Sequence, residues 1–439
     1  MGNLLFFIIL IFEIAFAMYC IVSKKSHQKL RSGVRIAAFF VFVILILSSV
    51  IVWSFRWVLL AIFLFILAGI GTISLIRNNL NNREYKTSRI IGKGVFMTLM
   101  LVFTLIPILV FPQYKSPQVT GSYDVATATY TYTDKSRMEE FKDTGKNRFL
   151  NVKFWHPKNA DESYPLLVFS HGANGIKESN TSTYMELASH GYVVCSIDHS
   201  YHSFYTVADN GSIALISSEY MKEFRDSNKE GIYTKAELYQ LIQKWMKLRT
   251  DDMNFVINTI IEKSKNDKDP VYQQINQDKI GVFGHSMGGA ASVWVGRERK
   301  DVRAVVNIDA PFFSELAYNQ KRDDFEAKDE AYTIPLLNIY SDDVWKQLDT
   351  NSVYAANRLT NNYFKEAYTV HFQGAKHLSL TDLPLVSPLL ANMLQGGKAD
   401  IDSYYCIETE NELILQFFDA TLKGIGRFTS EGTYGPSPS

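Results

Sequence analysis

The sequence predicts an α/β domain, with a mostly parallel central sheet and helices on its faces, preceded by four transmembrane α-helices. Three observations predict it. Four long apolar runs fill the first quarter of the chain. After them, apolar strand-like segments alternate with helical stretches, the pattern of βαβ units. One such segment runs into Gly284-His285-Ser286-Met287-Gly288 and then into a helix of small residues.

The apolar runs cover residues 4–22, 36–53, 57–76 and 94–111. Each is long enough to cross a hydrocarbon core of about 30 Å. Back to back and nearly free of charge, they read as spans rather than core helices. The first lacks the basic n-region of a signal peptide. The first connection carries Lys24, Lys25, Lys29, Arg31 and Arg35, and the second is a tight hairpin with Arg56. The third carries Arg77, Arg83, Lys86, Arg89 and Lys93 against Glu84 alone. Basic loops stay cytoplasmic. The N-terminus, the hairpin and everything after Phe111 are therefore expected outside, as in a multi-pass plasma-membrane protein. Trp53 and Trp57 would lie at the outer interface. Glu13, the one acid inside a run, is expected to be partly solvated against a neighbouring helix; a functional intramembrane acid is the alternative. The expected domains are a membrane anchor over 1–112, an extracytoplasmic α/β domain over 113–429 and a disordered tail over 430–439.

The 45 basic and 45 acidic residues balance, which leaves no basic footprint for nucleic acid. Cys20, Cys195 and Cys406 are too few for a disulfide scaffold.

In the outer domain, strands are predicted over 123–132, 149–155 and 164–170, the last followed at once by His171-Gly172-Ala173-Asn174-Gly175. A helix over 183–190 and a strand over 192–198 follow. The stretch 199–278 reads as mainly helical. Thr234 and Glu237 form a capping box, and Leu238, Leu241, Ile242, Trp245 and Leu248 keep helical spacing. Within it, 201–233 is expected to cap the site or to dip into lipid. Strands over 302–308, 334–340 and 368–372 then lead to Asp309, to Asp342 and Asp343, and to His377. A closing helix over 413–422 ends at Gly424, a helix C′ residue.

Gly284 to Gly288 fits the G-x-S-x-G elbow, in which a turn holds a serine up at the end of a strand. A serine hydroxyl is a weak nucleophile until a base takes its proton, and the crowded turn excludes side chains at Gly284 and Gly288. Ser286 is the candidate nucleophile. The N–H of Met287, at the helix start, is one candidate oxyanion donor, and that of Ala173 is the second. His377 is the candidate base, because it follows the last strand and comes after the serine in chain order. His171 reads as structural. A metal held by His199 and His202 lacks further ligands, so neither metal nor organic cofactor is expected. Asp309 and Asp342 both end strands at the carboxyl edge of the sheet, and architecture alone does not separate them as the acid.

These pieces together resemble the platelet-activating-factor acetylhydrolase family (lipoprotein-associated phospholipase A2 type) of α/β-hydrolases. The matching segments are Leu167-Val168-Phe169-Ser170-His171-Gly172, Glu186-Leu187-Ala188-Ser189-His190-Gly191-Tyr192, Ile197-Asp198-His199, Gly284 to Gly289, Ile308-Asp309-Ala310 and Gly374 to His377. The resemblance covers roughly residues 120–425 and implies an α/β-hydrolase fold. It implies a triad of Ser286, Asp309 and His377, with oxyanion donors at Ala173 and Met287. Bacterial polyester hydrolases of cutinase type share the GHSMGG segment, and their acid would correspond to Asp342. The four spans and the segment 201–233 have no counterpart in the soluble members of the family. The implied activity is hydrolysis of short-chain acyl phospholipids or other small lipid esters, with the bilayer as a partner. A general carboxylesterase and a membrane sensor with an inert hydrolase fold are the alternatives.

Overall fold

The computed structural model describes residues 2–77, 86–142, 145–158 and 162–435, with no side-chain account of residues 2–5 and 361. Arg83 and Glu84 of the third basic loop and the last four residues of the tail lie outside the described residues. The chain forms two compact units, Met1–Tyr114 with Val386–Leu389, and Lys115–Leu385 with Leu390–Ser439.

In the first unit, α1 (Gly2–Ser23), α2 (Gln28–Leu47), α3 (Val58–Ile76) and α4 (Thr87–Val110) are long and apolar enough to cross a membrane. The second begins and ends earlier than its apolar run: α2 stops before Ser49, whose φ of 58° breaks the helical backbone. Glu13 is not solvated. It is 3% exposed and accepts from Arg35 Nε at 2.8 Å, Arg35 Nη2 at 3.1 Å and Arg31 Nη2 at 3.2 Å. The arginines expected in a loop sit instead on α2, whose helical spacing puts both beside one carboxylate.

The second unit is built on a nine-stranded sheet: β1 (Val125–Met138), β2 (Asn147–Pro157), β3 (Tyr164–Ser170), β4 (Val193–His199), β5 (Ile275–His285), β6 (Val302–Ile308), β7 (Leu336–Ser341), β8 (Ala367–Phe372) and β9 (Gly432–Tyr434). Their order is β1-β2-β4-β3-β5-β6-β7-β8-β9. β2 is antiparallel to β1 and β4, and every other pairing is parallel. The central strands are buried on both faces, which is why they read as continuous apolar runs. One core lies under α7 (Lys235–Asn266) and α8 (Met287–Glu298), and the other under α5 (Thr181–Ser189) and α9 (Ser403–Phe418). The capping box of Thr234 and Glu237 is present at the start of α7, and Gly424 takes φ 69° at the helix end.

Within the tail expected to be disordered, residues 430–435 are described and hold a short strand. Residues 432–434 pair with β8, and Tyr434 O accepts from Gln373 N at 2.8 Å. The three cysteines are free and buried.

Candidate active site

Register gathers the predicted residues. Ser170 pairs with Gly284, His285 with Ile308, and Ile308 with Ile339. The chain therefore leaves β3, β5 and β6 at one edge, carrying the 171–173 loop, Ser286 and Asp309 side by side. Ser286 adopts φ 53° and ψ −126°, and its N–H donates to Ile308 O at 2.8 Å. A Cβ on Gly288 would lie 1.8 Å from Ser170 O, and one on Gly284 2.3 Å from the Gly288 carbonyl carbon. No side chain fits either position, so the sharp turn requires both glycines. Met287 opens α8, so its N–H is an unspent helix-start donor at the turn. A Cβ on Gly172 would approach Ser286 Cβ to 3.2 Å, which sets the 171–173 backbone against the elbow.

Asp309 is also strained, at φ 58°. Its carboxylate is fully buried and accepts from His377 Nδ1 at 2.6 Å, from Ser341 N at 2.7 Å and from Ser341 Oγ at 2.7 Å. Asp342 turns elsewhere, accepting from His371 Nε2 at 2.8 Å and Lys346 Nζ at 3.1 Å. Asp343 accepts from the His377 backbone N–H at 3.3 Å. The His285 and His377 rings lie with centres 4.6 Å apart, tilted by 38°, and His285 Nε2 donates to His377 O at 3.0 Å. Burial, and then the neighbouring His377, push the His285 pKa down to about 3, so it stays neutral. His171 and His199 are buried in hydrogen bonds, and His202 stacks on Tyr220 at 3.7 Å.

The 201–233 segment forms a small hairpin and a helix, α6 (Ser218–Ser227). Buried Tyr220 donates to Met287 Sδ at 3.3 Å, so the segment packs directly on the elbow. Ser341, Tyr220 and Arg249 are site neighbours that no motif marks. Arg249 does leave a trace: Trp245, Arg249, Asp252 and Val256 share helical spacing, placing two charges on an apolar stripe.

Fold and site together define an α/β-hydrolase fold with a sharp glycine-flanked serine turn at the sheet edge. The chain belongs to the family described as platelet-activating factor acetylhydrolase, isoform II, whose pattern matches residues 138–427. It is 23% identical over 283 residues to platelet-activating factor acetylhydrolase of Bos taurus and 25% over 286 residues to that of Canis lupus familiaris. Those alignments cover 60% and 61% of this chain, and the chain spans 58% and 59% of the relatives' own lengths. Among solved structures, a ferulic acid esterase from Streptomyces cinnamoneus shares the fold, with a TM-score of 0.56 at 20% identity over 74% of this chain and 94% of that one.

Proposed function

We propose that the protein is a membrane-anchored serine ester hydrolase. The bond from His377 Nδ1 to the buried Asp309 carboxylate, at the sheet edge that carries Ser286, supports this reading above all. Nδ1 spends its proton on Asp309, which leaves Nε2 as the base. Ser286 Oγ attacks the ester carbonyl as Nε2 takes its proton. The backbone N–H groups of Ala173 and Met287 receive the oxyanion. Nε2 returns the proton to the departing alkoxide, and an acyl-enzyme remains. Water, activated by the same nitrogen, releases the acid. The Asp309 carboxylate, bonded to Nδ1, offsets the charge of the imidazolium.

The proposed substrate is a glycerophospholipid with a short or oxidised acyl chain, or a related small lipid ester. Family membership and the four apolar helices support it, since the helices would hold the domain among lipids. The domain is read as extracytoplasmic from the basic first and third connections. The discriminating experiment compares hydrolysis of a 2-acetyl glycerophospholipid with that of a short-chain nitrophenyl ester on one detergent-solubilised sample. Turnover of both, lost together in Ser286→Ala, is expected. Turnover of the nitrophenyl ester alone would leave a general carboxylesterase.

A further inference from the structure

A fully buried guanidinium lies behind the 171–173 loop. Arg249, on α7, is 0% exposed. Its Nη1 donates to His171 O at 2.8 Å and to Ser170 Oγ at 3.3 Å, and its Nη2 to Gly172 O at 3.4 Å. Two further donors join it on the Gly172 carbonyl: His171 Nδ1, at 2.6 Å, and the Gly175 N–H, at 3.2 Å. That carbonyl can only accept, so Nδ1 carries the His171 proton, and Nε2 accepts from Ser203 Oγ at 2.7 Å. Burial, and then the neighbouring Arg249 guanidinium, hold the His171 pKa well below its ordinary value, which keeps this single-proton form.

The Gly172 carbonyl and the Ala173 N–H belong to one planar trans peptide, so they point in opposite directions. Gripping the carbonyl from the protein interior therefore aims the N–H outward. The adjacent peptide, with the His171 carbonyl, is held in the same way. Arg249 is fixed in turn by its surroundings. Ser170 Oγ, which it contacts, donates to His199 Nε2 at 2.9 Å, and His199 Nδ1 donates to Asp252 at 2.9 Å. Asp252 is anchored by Arg148 at 2.6 Å and 2.8 Å.

We infer that Arg249 is a positioning residue for the oxyanion site, clamping the His171 and Gly172 carbonyls so that the Ala173 N–H is preset toward the reacting carbonyl oxygen. The inference rests on the esterase reading above. Its role is exercised in the transition state, where a misaimed donor costs most, rather than in substrate binding.

The test uses the full-length protein with Arg249→Met and Arg249→Lys beside wild type and Ser286→Ala. For each, kcat and KM on a nitrophenyl ester and the affinity for a trifluoromethyl ketone, which forms an oxyanion adduct, are measured. Arg249→Met should lose about 10- to 100-fold in kcat with KM changed less than about threefold. Ketone affinity should fall by the same factor as kcat. Arg249→Lys keeps a buried cation that reaches one carbonyl and should recover part of the loss; it also carries the test should Arg249→Met not fold. An unchanged kcat in a folded variant, or a kcat loss with undiminished ketone affinity, overturns the inference. Absence of Ser286-dependent hydrolysis in wild type would instead overturn the esterase reading itself.

Discussion

Ser341 grips the Asp309 carboxylate from two sides, with its N–H at 2.7 Å from Oδ1 and its hydroxyl at 2.7 Å from Oδ2. Oδ2 is also the atom that receives His377 Nδ1. The end of β7 thus fixes the rotation of a carboxylate that hangs from the strained end of β6. Ser341→Ala keeps the backbone bond and removes the hydroxyl. A hydrogen bond to a charged group contributes about 1.5–3 kcal/mol. A fall in kcat of about tenfold is expected, with KM nearly constant, in steady-state ester hydrolysis.

Two acids end neighbouring strands, and their partners assign them different work. Asp309→Asn should lower kcat by about 10⁴-fold, because an amide can hold the imidazole in the wrong tautomer. Asp342→Asn touches a pair with His371 and Lys346 and should leave kcat within about threefold. The comparison is made on matched, active-site-titrated samples.

Glu410 on α9 is fully buried, and both its carboxylate oxygens lack a hydrogen-bond partner among the described residues. Burial, and then the charges of Asp382 and Asp309, raise its pKa well above the ordinary glutamate value. The sign follows from linkage. A carboxyl with a raised folded pKa contributes stability that is complete below its unfolded pKa and is lost as pH rises through the folded value. Glu410→Gln removes that loss. The variant should melt several degrees higher than wild type at pH 8, and the gap should narrow as pH falls toward 4.5, measured by thermal unfolding of both proteins across that range.

In the first unit, Glu13 is enclosed by two arginines. Removing one partner of a buried ion pair costs about 3 kcal/mol, because the opposite charges remain. Glu13→Ala should lower the unfolding temperature of the detergent-solubilised protein. Hydrolysis of a water-soluble ester by the protein that remains folded should be unchanged.

Much of the fold was legible because its signals are local. The strands Tyr164–Ser170 and Val302–Ile308 stand where their apolar runs end, and Gly284 and Gly288 are demanded by contacts that any elbow makes. What stayed hidden depends on partners distant in sequence. Asp309 and Asp342 are equivalent in a linear reading, and it is the β8 side chain His371, with Lys346, that draws Asp342 away. Ser341 is an ordinary strand-end serine until Asp309 folds back on it. Arg249 lies 76 residues after the Ala173 whose peptide it faces, marked only as a charge on an apolar stripe. The 432–434 strand is short and glycine-bearing, so its pairing comes from β8 rather than from its own propensity. Glu13 looked solvated because its two arginines were assigned to a loop.

The most direct test of the central claim is fluorophosphonate labelling of the detergent-solubilised full-length protein, read by peptide mass spectrometry beside Ser286→Ala. One covalent phosphonate on Ser286, absent from the variant and formed in parallel with loss of ester hydrolysis, is the predicted result. Folded wild-type protein that takes up no label, or takes it up equally in Ser286→Ala, would contradict the account.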